Sequence, residues 1–64
     1  MNLFEARLRH EEITRLVGLT DEEREETWNL LLEVQGIEYP PGPTPEQEIA
    51  FIRIGKILNR RLSA

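Results

Sequence analysis

The sequence predicts an all-α protein, a small arrangement of three helices. Three observations carry this expectation. Only Gly and Pro interrupt a chain otherwise built from helix-forming residues. All four Pro, at 40, 41, 43 and 45, fall within six positions. Apolar residues recur at helical spacing between these breaks, and no stretch reads as a strand. The expected organisation is one helical domain over residues 1–64, with helices at about 2–17, 21–35 and 45–62 and a Pro-rich connector at 37–44. A break of the first segment near Arg9-His10 would make the count four.

Segment one runs from Asn2, a candidate cap, to Val17, and Gly18 ends it. On a helical wheel Leu3, Ala6, Ile13, Leu16 and Val17 share one broad face, while Phe4 and Leu8 lie together on another. The expectation is a helix buried on two sides, or one that breaks. Segment two carries the clearest start signal. Thr20 caps it and Glu23 stands three residues on, the spacing of a capping box that satisfies two orphan amides. Asp21, Glu22, Glu23 and Glu25 favour the positive end of the helix dipole. Trp28, Leu31, Val34 and Gln35 form the centre of the expected inner face, flanked by Leu30 and Leu32, with Trp28 packed against the third helix. Gly36 is the expected left-handed stop, with Ile37 available for the accompanying apolar contact.

The connector IEYPPGPTP is expected to be stiff and extended, because its Pro residues favour polyproline geometry. Pro40 and Pro43 also have PxxP spacing, but a spacer is the commoner reason for such a run. Segment three opens with Thr44 as cap, Pro45 at the first helical position and Gln47 completing a second capping box. Ala50, Phe51, Ile54, Ile57, Leu58 and Leu62 share its broad face. Ile49 and Ile52 lie on the far side beside Arg53, Lys56 and Arg60. Gly55 sits inside this helix, where Gly costs about 1 kcal/mol relative to Ala.

Size sets a limit on what this arrangement can bury. A chain of 64 residues can hide about 60% of its unfolded surface, which is marginal for folding alone. The sequence has no Cys and one His, so it offers neither a disulfide nor a cluster of soft metal ligands. Oligomerisation or docking is the remaining source of stability. Twelve acids against eight bases give a net charge of −4. The acids crowd into residues 1–38, which carry ten against four Arg, while residues 39–64 carry two against four bases. Such a polar chain suits pairing with itself or with a charged partner. No apolar run fits a signal peptide or a membrane span, so the expected location is the cytoplasm.

The stretch EEITRLVGLTDEEREETWNLLLEVQGI, residues 11–37, resembles a bacterial helix-turn-helix or winged-helix pattern at Ile13, Leu16, Val17, Gly18, Leu19, Trp28, Leu31 and Gly36. That resemblance implies DNA reading by segment two. The chain departs from the pattern where it bears on function. Arg24 stands where an apolar residue is expected, and the reading end would begin Asp21-Glu22-Glu23, which repels phosphate. No wing follows Gly36. Nucleic acid is therefore not an expected partner, although a divergent helix-turn-helix binder using the basic third segment remains the alternative reading.

Chemistry has little to stand on. His10 has Glu11 and Glu12 beside it in sequence, but adjacent residues do not face each other on a helix. The ordinary reading of His10 is a solvated surface side chain. Gly42 lies between two Pro that lack the amides needed to cradle phosphate. No catalytic residue, metal ligand or cofactor is expected, and the chain reads as no enzyme. What remains is surface. Ile49 and Ile52 beside Arg53, Lys56 and Arg60 make an apolar patch rimmed by charge, the usual look of an interface. Asp21, Glu22, Glu25 and Glu26 either solvate the start of segment two or dock a basic partner. The expected function is a small helical protein acting by protein–protein interaction, as a regulator, an inhibitor or an accessory subunit. Its expected partners are a second copy, in a homodimer with Ile49 and Ile52 near its interface, and another protein. A structural small subunit of an enzyme complex is a further alternative.

Overall fold

Residues 2–63 are described by a computed structural model in which three helices follow one another: α1 (Leu3–Val17), α2 (Asp21–Glu33) and α3 (Pro45–Leu62). Each begins where a short polar side chain takes an orphan amide. The Asn2 side chain accepts from the Glu5 amide at 2.8 Å. Thr20 and Thr44 both complete capping boxes, with Glu23 and Gln47 returning the bond to the cap amide at 2.9 Å in each case. Gly18 closes α1 in the left-handed conformation at φ 91°, and its amide reaches the carbonyls of Thr14 and Arg15. A residue with a Cβ would be strained there.

Two expectations about boundaries shift. α2 ends at Glu33 with Val34 as its cap, two residues before the expected Gln35, although Gly36 does take a positive φ of 74°. The connector is not an extended rod. Residues 39–41 form a turn, and the Gly42 amide donates to the Glu38 carbonyl. Gly42 supports the turn with φ 89° and lies against the Tyr39 ring. Pro has a φ compatible with turn positions as well as with polyproline, and here the local hydrogen bond decides between them.

The turn returns α3 antiparallel to α2. Cross-links show the register: Gln47 donates to the Glu33 carbonyl at 3.1 Å, Arg53 to Glu26 at 3.2 Å, and Arg61 to Glu23 at 2.8 Å. The first of these satisfies a carbonyl that the end of α2 leaves open. Between these links lies the core, formed by Leu19, Leu30, Ala50 and Ile57 with Val17, Val34, Ile54 and Leu58 packed around it. Ala50 is almost completely buried, and its small side chain lets α2 and α3 approach closely.

α1 joins this pair differently from the expected way. Its buried residues are His10 and Thr14, whereas Leu3, Ile13 and Leu16 remain exposed, Leu16 by 88%. The helix has therefore turned its polar His10–Thr14 line inward. The reason lies on α2, where Thr27 and Trp28 face it. His10 Nε2 is 2.8 Å from Thr27 Oγ1, the His10 and Trp28 rings are 5.4 Å apart, and the Arg7 guanidinium lies 5.0 Å over the Trp28 ring. Trp28 is buried as expected, but its ring partners are on α1. Arg24, the residue that breaks the helix-turn-helix pattern, bonds the Leu19 carbonyl at 3.1 Å and reaches Glu11 at 3.6 Å. It fastens α1, the turn and α2 together.

The result is a flattened, open arrangement. The Cα trace measures 35 × 27 × 15 Å with a radius of gyration of 12.4 Å. A compact chain of this length has about 10.7 Å. Trp28→Ala is expected to cost about 3–5 kcal/mol, read from urea unfolding followed by circular dichroism. An unfolding midpoint equal to that of the wild type would contradict the place of Trp28 between α1 and α2.

Candidate functional site

α2 packs closely on α3 and less closely on α1, while α1 and α3 touch least of the three pairs. Between them opens an apolar groove of about 300 Å³. Ala6, Arg9 and Ile13 of α1 line one wall and Ile54 and Leu58 of α3 the other. His10, Thr14, Thr27 and Leu31 form its base. The groove exists because each wall spends its best face elsewhere. α3 gives Ala50 and Ile57 to the α2 contact and leaves Ile54 and Leu58 half-buried, with Phe51 and Leu62 exposed beyond them.

The polar groups at the base are largely satisfied by one another. Thr14 Oγ1 donates to the His10 carbonyl at 2.7 Å. Thr27 Oγ1 donates to the Arg24 carbonyl at 3.1 Å, so its lone pair takes the proton of His10 Nε2. This assigns the Nε2–H tautomer to a neutral ring. His10 is only 8% exposed, and its Nδ1 has no hydrogen-bond partner among the described residues. Burial lowers its pKa below the ordinary 6.5; the Arg7 and Arg24 charges add to the shift, while Glu11 and Glu25 oppose it. The expected solvated surface histidine is thus a buried, neutral bracket between α1 and α2. Its sequence neighbours gave no sign of this, since the partner that buries it lies 17 residues away on α2.

The residues singled out in the sequence do not form one cluster. Ile49 and Ile52 are exposed on the outer side of α3, at 57% and 58%. Lys56 is exposed between them and the chain end and has no ion pair among the described residues. Arg53 pairs with Glu26 at 3.2 Å and Arg60 lies 3.9 Å from Glu23, both within the same chain. At the start of α2, Asp21 pairs with Arg24 and Glu25 with Arg7 at 2.7 Å, while Glu22 faces solvent. Much of the opposite charge of the two halves therefore meets within one molecule. Glu23 is the acid that the structure buries. The Thr20 amide holds its pKa below 4.5, helped by the hydrogen bond from Arg61 and opposed by desolvation.

Among the described residues no group of three or more His, Asp or Glu is placed to hold a metal ion, and no helix is long and apolar enough to cross a membrane. No family model matches the chain, and no curated protein or solved structure gives a significant match.

Two pH windows follow from the buried groups. His10 has a folded pKa below its unfolded 6.5, so the unfolded state takes up protons first. Its stability contribution is complete above 6.5 and declines as pH falls toward the lowered folded value. Glu23 has a lowered carboxylate pKa, so its contribution is present above 4.5 and is lost as pH falls through the folded value. Urea midpoints measured against pH are expected to show two separate declines. His10→Gln is expected to remove the upper one and leave the lower; an unchanged upper decline would contradict the buried, neutral His10.

Proposed function

We propose that this protein acts by binding another protein, as a regulator, an inhibitor or an accessory subunit. The observation that supports this reading is a surplus of exposed apolar side chains. Monomers rarely present large contiguous apolar patches, and an apolar patch rimmed by charge marks an interaction site. α3 is apolar on more than the side it buries. Ile54 and Leu58 line the groove and Phe51 and Leu62 are exposed on the same helix, while Ile49 and Ile52 stand on the opposite flank beside Lys56. The outer flank suits a partner protein. Arg53 and Arg60 reach toward acids of α2 yet stay exposed, so with Lys56 they rim Ile49 and Ile52 in charge. The acidic start of α2 offers Glu22 to a basic partner, its neighbours Asp21 and Glu25 being engaged by Arg24 and Arg7.

Pull-down from the native host with this chain as bait, followed by mass spectrometry, tests the reading. A partner retained by the wild type and lost by Ile49→Asp is expected. Retention of nothing specific, or of a protein indifferent to that change, contradicts it. Duplex DNA is expected to show no useful binding at about 0.15 M salt, because the chain carries −4 net charge and α2 begins with acids. Salt-sensitive, submicromolar binding in an anisotropy titration would favour the helix-turn-helix alternative instead.

A further inference from the structure

We propose that the groove face is closed by a second copy of this chain, with the two α3 helices packed antiparallel across Gly55. The proposal rests on the reading of the chain as a protein-binding module and names the occupant of one of its two faces. Area supplies the first argument. The folded chain exposes 4937 Å², whereas a compact monomer of its mass exposes about 4,200 Å². The surplus is about 700 Å², close to the roughly 800 Å² that each partner buries in a standard interface. Shape supplies the second. The chain is flattened, 35 × 27 × 15 Å, which leaves a broad face on which a copy can stack.

The third argument is self-complementarity, and it selects a copy over a foreign helix. Phe51, Ile54, Leu58 and Leu62 form one apolar ridge along α3, partly or largely exposed throughout. Gly55 lies beside it at mid-helix, and a Cβ added there would meet nothing within 4 Å. Nothing within the chain calls for Gly at this position, although Ala would favour the helix. A helix approaching from outside supplies a reason, because close backbone approach needs the missing side chain. A two-fold axis at Gly55 sets Phe51 of one copy between Leu58 and Leu62 of the other. The same axis opposes the two helix dipoles. Isologous pairing of this kind is the commonest symmetric assembly.

Sedimentation equilibrium of the full chain decides the matter. The expected mass is twice 7.5 kDa at high micromolar concentration, dissociating on dilution. A Cβ at Gly55 meets nothing within 4 Å in the single chain, so Gly55→Leu is expected to keep its helical circular dichroism and sediment as one chain, with dimer affinity reduced at least tenfold. Gly55→Ala, a milder change that favours the helix, is expected to weaken the dimer less. A wild type of single-chain mass at every concentration overturns the proposal. So does a dimer unaffected by Gly55→Leu, which would place the contact on another face. Loss of the partner-binding reading is seen separately, in pull-downs with Ile49→Asp, a residue on the opposite flank of α3.

Discussion

The carboxylate of Glu23 ties the start of α2 to the end of α3, and the shape of the molecule follows from that tie. One oxygen accepts the Thr20 amide and closes the capping box, and the same oxygen receives Arg61 at 2.8 Å. Because both partners are held at once, the antiparallel register of α2 and α3 is set at that end. Gln47, bonding the Glu33 carbonyl, sets it at the other. The apolar side chains between these links pair off as Leu30, Ala50 and Ile57, with Leu19 from the turn. Most of this small core comes from α2 and α3, with Val17 of α1 packed at its edge. The rest of α1 attaches through what remains on α2, a Thr, a Trp and an Arg.

That secondary attachment explains why the groove is apolar yet has polar groups at its base. α1 docks by a hydrogen bond from His10 to Thr27, an aromatic contact and an Arg7–Trp28 cation–π contact. These interactions are directional and local, so they fix α1 on α2 without drawing it onto α3. Ile13 and Ile54 are left facing a common space that neither fills. Burying polar groups costs free energy unless they are paired, and the Thr14 and Thr27 hydroxyls are paired within the base. An apolar surface laid over them would leave neither hydroxyl without a partner.

The elements were legible in the sequence because their signals are local. Thr20-Glu23, Thr44-Gln47 and Pro45 announce two helix starts within a few residues of one another, and Gly18 announces a stop. The buried α3 positions Ala50 and Ile57 were also legible from spacing alone. The inner face of α1 was not. Its wheel favours Leu3, Ile13 and Leu16 over His10 and Thr14, and the choice between them is made by Thr27 and Trp28, residues on another helix. Hydropathy weighs each side chain singly, whereas a histidine bonded to a threonine is a pair. The connector misled for a related reason: Pro-rich composition suits both an extended rod and a turn, and the Gly42–Glu38 bond selects the turn. The exposed flank of Ile49 and Ile52 could be read in advance, but the binding of Arg53 by Glu26 depends on the register of two helices and could not.

The proposed meeting of the ridge beside Gly55 with its own copy is the contact on which the assembly depends. Isotope-filtered nuclear Overhauser spectroscopy on an equal mixture of carbon-labelled and unlabelled chain tests that contact directly. Cross-peaks are expected from the Phe51 ring of one chain to the methyl groups of Leu58 and Leu62 of the other. A mixture in which Phe51, Leu58 and Leu62 show contacts only within their own chain, at concentrations where the protein is fully folded, would contradict it.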